Sequence, residues 1–358
     1  MRAHTLFPLL LLPLISAAPM PSAGIDPSDS VLLLDAPVIQ TGPTAWDAQV
    51  RAFVYQRQSS TDYLVMSFIG LRVDGVLRHL SVLSERLSLF AAVPLHNQEV
   101  TVSVTGCSLG ARTLGARTPA SGMLEAAVPA CEGARGIRAE LGPNDRRELA
   151  ARAYPSPPTG WGVVSDIDDT IKESGTLAGA RTLLANTFVK PSRAVGGMAA
   201  LYGALDARLG APAWAYLSAS PFQLQPMLRA FLDAERFPGG PLLLRNLTLT
   251  DIDDLVDFVR GGGTEAYKTA QIDKIHAWFP GKRYLLVGDS TQKDPEVYGA
   301  AATRFGDWVG CVWIRLVEGG DNTELRFDTA FKGLDKAKWR LFKDPKELDG
   351  LDVKGGVC

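Results

Sequence analysis

Apolar and polar residues alternate through Trp46-Asp47-Ala48-Gln49-Val50-Arg51-Ala52-Phe53-Val54-Tyr55 and again through Glu99-Val100-Thr101-Val102-Ser103-Val104, the period of half-buried antiparallel strands. Between them Leu77, Leu80, Leu83, Leu87 and Phe90 recur at helical spacing, so the first part of the chain reads as β-rich with some helix. From about residue 155 the pattern changes to short continuous apolar runs separated by longer amphipathic segments. The runs predict strands at Trp161 to Asp166, Ala213 to Ser218, Pro241 to Arg245, Arg283 to Asp289 and Cys311 to Val317. Helices are predicted near 196–208, 222–236, 251–260, 265–279 and 295–305. Buried strands alternating with helices predict an α/β fold with a doubly wound parallel sheet, preceded by a smaller β-rich domain. Ligands of such a sheet bind beyond the carboxyl ends of its strands, which is where polar residues carry meaning.

The segment Tyr154-Pro155-Ser156-Pro157-Pro158-Thr159-Gly160 continues neither a helix nor a central strand and reads as a joint. All twelve lysines lie from Lys172 onward, a compositional shift across the same point. The expected organisation is a β-rich domain at 30–150, an α/β domain at 155–345 and a tail at 346–358. Residues 1–18 begin with Arg2 and His4, run through apolar Leu6 to Ile15 and end in Ser16-Ala17-Ala18, the pattern of a secretory signal peptide. The chain is accordingly expected in the secretory lumen or outside the cell.

Composition removes several function classes. With 37 Lys and Arg against 39 Asp and Glu, the formal charge of -2 provides no field for holding nucleic acid. Only His4, His79, His96 and His276 supply imidazole, too few for a histidine-rich metal centre, so carboxylates are left to carry the chemistry. In a secreted chain the four cysteines form an even set, with Cys107 and Cys131 the favoured bridge. Cys311, in an apolar run, reads as a buried thiol or as a partner of terminal Cys358. Asn246-Leu247-Thr248 is a glycosylation sequon at Asn246.

At the first predicted strand end, Ser165-Asp166-Ile167-Asp168-Asp169-Thr170 crowds three carboxylates into four residues, which a helix cap or a bound cation would explain. The fourth strand ends in Gly288-Asp289-Ser290, followed by Asp294-Pro295-Glu296, so more acid reaches the same sheet edge. Such oxygens suit Mg2+. The second strand ends in Ser218-Ala219-Ser220, hydroxyls able to donate to a phosphate oxygen, and Lys268 opens the helix before the fourth strand. A carboxylate nucleophile, a second acid two residues on, a hydroxyl, a lysine and a cation are the parts of an aspartyl-phosphate phosphatase.

The order Asp166-x-Asp168-x-Thr170, Ser218, Lys268 and Gly288-Asp289 with Asp294 resembles the four motifs of the haloacid dehalogenase (HAD) superfamily. More narrowly, Ser165 to Lys172, Tyr216-Leu217-Ser218-Ala219-Ser220-Pro221-Phe222, Gly288-Asp289-Ser290 and Ile314-Arg315 are similar to the fungal actin-patch-associated phosphatidate phosphatase catalytic domain. Where that family has Gly-Glu, this chain has Thr291-Gln292. The resemblance covers about residues 155–345 and implies hydrolysis of phosphatidate to diacylglycerol and phosphate. It implies Asp166 as nucleophile, Asp168 as acid and base, and Thr170 holding the loop. Ser218, or alternatively Ser220, and Lys268 would stabilise phosphoryl charge. Mg2+ would be held by the Asp166 carboxylate, the Asp168 carbonyl, Asp289 and Asp294. The implied partner is a phospholipid substrate, with no nucleic acid.

Other readings stay open at this stage: a phosphatase of another extracellular phosphomonoester, an inactive secreted binding protein, and a serine esterase using Ser108. The last rests on Gly106-Cys107-Ser108-Leu109-Gly110, which fits a nucleophile elbow, yet no helical pattern follows it and a bridged hairpin turn reads better. A second Asp-Ile-Asp-Asp, Asp251 to Asp254, reads as a helix cap. Lys332, Lys336, Lys338, Arg340 and Lys343, with Phe331, Leu334, Trp339 and Leu341 or Phe342, are spaced for an amphipathic helix able to touch an anionic membrane.

Overall fold

The computed structural model describes residues 25–247 and 262–358. The signal-like segment at 1–18, the second Asp-Ile-Asp-Asp and the helix expected at 251–260 lie outside the described residues.

The first nine strands are β1 (Asp29–Leu34), β2 (Ala36–Gln40), β3 (Trp46–Gln56), β4 (Val93–Pro94), β5 (Thr101–Thr105), β6 (Arg112–Thr113), β7 (Met123–Ala130), β8 (Gly136–Ala139) and β9 (Ala150–Ser156). They form one sheet, ordered β1-β3-β2-β9-β8-β5-β6, with β4 and β7 also paired to β3. The alternation read from Trp46 to Tyr55 holds as far as Ala52, with Trp46, Ala48, Val50 and Ala52 inward in turn; Phe53, Val54 and Tyr55 are then all buried, because both faces of the strand are covered there. Cys107 and Cys131 are bridged, with Cα atoms 5.7 Å apart. Ser108 is exposed on this corner and a short strand, not a helix, follows, so the nucleophile elbow is absent.

Helices α1 (Asp62–Gly70) and α2 (Leu80–Leu87) interrupt this sheet between β3 and β4. Leu83 and Leu87 are buried as the helical spacing predicted, but Leu77 and Leu80 are exposed. A 3-10 turn, Val76–Arg78, resets the face ahead of α2.

A second sheet begins after two intervening residues, so the expected joint at 154–160 shrinks to Pro157 and Pro158. Tyr154–Ser156 end β9, an interior strand between β2 and β8 whose Pro155 is tolerated beside Val38, and Thr159 opens the next strand. Its strands are β10 (Thr159–Asp166), β11 (Ala213–Pro221), β12 (Leu242–Arg245), β13 (Gly281–Asp289), β14 (Val309–Arg315) and β15 (Trp339–Phe342). The order is β12-β11-β10-β13-β14-β15 and every pairing is parallel. The connections carry α3 (Ala180–Leu184), α4 (Met198–Leu209), α5 (Gln225–Ala234), α6 (Thr264–Trp278), α7 (Asp294–Phe305) and α8 (Glu324–Ala330). Period-two alternation sends Val163, Tyr216, Leu285 and Trp313 to one face, against Leu201 and Leu228 of α4 and α5. Val164, Leu217, Leu286 and Ile314 face the other way, against Ile275 and Tyr298 of α6 and α7. Helices therefore cover both faces, which is why these strands read as continuous apolar runs. The chain starts in the middle at β10, builds outward to β12, then returns to add β13 on the other side. The carboxyl ends of β10 and β13 consequently stand side by side with connections leaving in opposite directions, the geometry that opens a crevice.

The expected amphipathic helix at the basic C-terminal stretch does not form. Only one α-helix, Glu324–Ala330, precedes the stretch; within it Lys336–Lys338 make a single 3-10 turn, and Trp339–Phe342 adds to the sheet as β15 beside β14. Phe331, Trp339 and Phe342 are buried. The lysine spacing misled because Lys336 and Lys338 sit on a short 3-10 turn ahead of an edge strand, where Lys336 lies over the Trp339 ring and Lys338 pairs with Asp307. The tail then crosses back, and Cys358 is bridged to Cys311 of β14. Two disulfides fit a chain that folds in an oxidising compartment. Among the described residues no helix is long and apolar enough to cross a membrane.

The two sheets are tied by charge as well as packing. Asp35, buried between β1 and β2, accepts from Arg229 of α5 and from the Arg152 amide at 3.1 Å, and Arg229 also donates to the Gly240 carbonyl at 2.7 Å. Removing one partner of a buried pair leaves the other uncompensated. We expect Asp35→Ala to lower unfolding free energy by about 3 kcal/mol in denaturant titrations, and a loss below about 1 kcal/mol would show that the pair does not join the sheets.

Candidate active site

The site is built where β10, β11, β13 and the starts of α6 and α7 converge. Asp166 is the last residue of β10 and is 3% exposed. Its Oδ1 accepts from the Lys268 ammonium at 2.6 Å, and its Oδ2 from the Thr170 hydroxyl at 3.0 Å. The same hydroxyl donates to Asp289 Oδ2 at 2.9 Å, so its single hydrogen is shared between two carboxylates. Lys268, one turn into α6, also donates to Asp294 Oδ1, and Asp294 Oδ2 accepts from the Asp289 amide at 3.1 Å. Asp294 heads α7, where the helix dipole favours an anion. Gly288 leaves room for it: a Cβ there would lie 2.5 Å from Asp294 Oδ2.

Asp166, Asp289 and Asp294 each offer an oxygen within 4.8 Å of the others, a group able to hold a metal ion. One ammonium faces three carboxylates, so the cluster is left negative. Burial pushes the Asp166 carboxyl well above its ordinary range; Lys268 opposes the rise, and Asp294 and Asp289 add to it. Asp289 is pushed up to about 6, first by burial and then by Asp294. For Lys268, burial disfavours the charge, but Asp166 and Asp294 outweigh it and keep the ammonium well above its usual range. Oxygen-only donors, excess negative charge and carboxyls reluctant to ionise unaided fit a small hard divalent cation.

The three acids crowded in sequence do not crowd in space. Asp168 turns away from the cluster: its Oδ2 accepts from Ser218 and Ser220 at 2.8 and 3.1 Å, and its Oδ1 accepts from Ser174 at 2.6 Å with Lys172 Nζ 3.6 Å away. Burial works to raise this carboxyl, but Lys172 and the three hydroxyls prevail and hold it below the usual range. Ser218 and Ser220 thus share one acceptor, and both line the pocket with Asp166, Asp168, Thr176, Thr264 and Gln292. Asp169 sits at φ +58° and accepts from the amides of Ser174, Gly175 and Thr176 at 2.9, 2.8 and 2.7 Å. Its carbonyl accepts from Arg315, at the end of β14, at 2.6 Å. Self-repulsion among 166, 168 and 169 is relieved by three separate partner sets.

Every sequence-predicted residue, Asp166, Asp168, Thr170, Ser218, Lys268, Asp289 and Asp294, reaches this crevice. The sequence reading missed Asp169, Lys172 and Ser174, which hold the loop after β10. The signal available was a third acid left without a role, followed three residues later by the first lysine of the chain. Thr291, one of the departures from the expected motif, donates its amide to Asp289 Oδ1 at 2.5 Å. His276 stacks on Phe305 at 3.9 Å between ring centroids and serves packing.

Residues 161–316 match the family model described as the phosphatidate phosphatase APP1 catalytic domain. A curated relative, the phosphatidate phosphatase APP1 of Saccharomyces cerevisiae (strain ATCC 204508 / S288c), is 31% identical over 160 residues, 44% of this chain and 26% of the yeast protein. The chain thus matches about a quarter of that relative's length. The matched segment runs from β10 to just beyond β14 and contains every residue of the acidic cluster. Residues 161–316 are thus similar to the phosphatidate phosphatase APP1 catalytic domain over the segment that carries the site.

Proposed function

We propose that this protein is a Mg2+-dependent phosphatase, most directly of phosphatidate, working through an aspartyl-phosphate on Asp166 in a HAD-like doubly wound α/β domain spanning 155–345. The observation that carries the reading is the division of labour at one strand end. Asp166 is buried with Lys268, Asp289 and Asp294, while Asp168, two residues on, is held apart among hydroxyls on the same pocket.

In this reading Asp166 attacks phosphorus and forms the acyl phosphate as the bond to the diacylglycerol oxygen breaks, and that oxygen takes a proton that Asp168 must acquire in the substrate complex, since the free site favours its ionised form. The Asp168 carboxylate then takes a proton from water as the water attacks phosphorus, releasing phosphate and restoring Asp166. The hydrogen-bonded, ionised Asp168 is arranged as the base of this second half. Lys268 and the Ser218 and Ser220 hydroxyls oppose charge on the phosphoryl oxygens, and Thr170 keeps Asp166 aimed. Asp166, Asp289 and Asp294, with the Asp168 carbonyl, would hold Mg2+, which supplies electrophilic polarisation of the phosphoryl group. The disulfides and the sequence's signal pattern support a secretory-pathway or extracellular location, and exposed Asn246 suits glycosylation. A different extracellular phosphomonoester is the second reading, favoured by that location.

Phosphate release from dispersed phosphatidate should require Mg2+ and stop with EDTA. Asp166→Asn should fall to background while the fold is retained, since it changes shape little; retained turnover would sink the mechanism for any substrate. Asp168→Asn should cost about 10^2–10^4 in rate.

The raised Asp289 carboxyl links cation and proton. In the cation-free protein its proton is favoured up to about pH 6, so this group's contribution to stability is present at low pH and lost as pH rises through about 6. Mg2+ should reverse the loss, with Tm in EDTA declining between about pH 4 and 6 and Tm in Mg2+ holding. Coincident curves would contradict cation binding at this cluster.

A further inference from the structure

Of the ten large hydrophobic side chains exposed among the described residues, five fall within 62–80: Tyr63, Met66, Ile69, Leu77 and Leu80. Helix α1, the turn at 76–78 and α2 pack on one another, so the five share one neighbourhood, and exposed apolar residues gathered in this way mark an interaction surface where isolated ones do not. Helix α1 buries Phe68 and turns Tyr63, Met66 and Ile69 outward at steps of three, one helical face; Met66 is 62% exposed and Leu77 78%.

The inner side of this hairpin supports the catalytic pocket. Phe68 and Phe90 meet Phe188 edge-on at 5.3 and 5.4 Å, within a π-helical turn, Ala185–Val189. Arg86 donates to the Thr187 and Lys190 carbonyls, both at 2.8 Å. Thr187 and Leu183 line the pocket with Asp166 and Asp168. The exposed face is thus separated from the pocket by the hairpin and this one turn, and Leu177, next to pocket-lining Thr176, is exposed as well.

Charge selects the occupant. Arg72 and Arg78 are exposed near Leu77 and make no ion pair among the described residues, while Asp74 between them is taken by Lys190 at 3.0 Å. Apolar side chains flanked by unpaired guanidiniums match acyl chains beneath anionic headgroups. The basic C-terminal stretch does not compete for this role, because Phe331, Trp339 and Phe342 are buried.

We propose that α1 and the turn at 76–80 form the surface by which the protein docks on an anionic phospholipid bilayer, beside the wall of its catalytic pocket. The inference rests on the phosphatidate reading for its purpose, but its test does not.

The test is sedimentation with phosphatidylcholine vesicles containing phosphatidylserine, in EDTA, for the wild type, the double variant M66S/L77S and the control Leu109→Ser, which removes an exposed leucine elsewhere. The double variant should bind at least about tenfold more weakly, with Leu109→Ser unchanged. Its turnover of phosphatidate in vesicles should drop in step, while turnover of a small aryl phosphate stays at the wild-type rate. Binding lost without any phosphatidate turnover by the wild type would keep the surface and discard the substrate. Undiminished binding by the double variant, or no vesicle binding by the wild type, would overturn the proposal, the latter leaving the patch to a protein partner. If aryl phosphate turnover also falls, Leu77→Trp decides: quenching of the added fluorescence by brominated lipid supports docking, and no quenching overturns it.

Discussion

A buried ammonium among three buried carboxylates is the constraint on which the rest depends. Lys268 touches Asp166 and Asp294, and Asp289 is joined to both through Thr170 and its own amide. Desolvated charge of this kind is tolerated only when each member is held in place. The holding elements come from four distant parts of the chain: the end of β10, the first turn of α6, the end of β13 and the first turn of α7. A parallel sheet with helices on both faces brings those termini to one edge, which is why the fold and the site cannot be argued apart.

The second carboxylate shows what the surrounding loop contributes. Asp168 stands apart from the cluster, with Ser218 and Ser220 on one oxygen and Ser174 on the other, while the left-handed turn at Asp169 that follows it is fixed by three amides and by Arg315. Two acids two residues apart thereby meet opposite electrostatic fates, one held protonation-prone and one held ionised. Gly288 does related work at the neighbouring strand, since any side chain there would displace Asp294.

Much of this was legible in the sequence, for physical reasons that differ by region. Buried parallel strands leave continuous apolar runs, so the expected Trp161 to Asp166 and Arg283 to Asp289 differ from the observed strands only by two residues at their starts. The acids at those ends were visible because acid directly after an apolar run is costly without a purpose. The loop-fixing roles of Asp169, Lys172 and Ser174 were not visible, because they depend on a backbone turn with positive φ. Helix α1 escaped because its pattern is an exposed apolar face instead of a buried one, and β15 because the lysines flanking it mimic helical spacing. The pairing of Cys311 with Cys358 stayed open in the sequence, which cannot show that the tail crosses back over the sheet.

The central claim is that Asp166 becomes phosphorylated during turnover. The most direct measurement is acid quench of protein turning over phosphatidate with Mg2+, followed by peptide mass analysis, with Asp166→Asn treated alike. The account predicts one phosphoryl mass on the peptide bearing Asp166, labile to hydroxylamine and absent from the variant. Steady turnover with no adduct at Asp166, or an adduct that persists in Asp166→Asn, would contradict it.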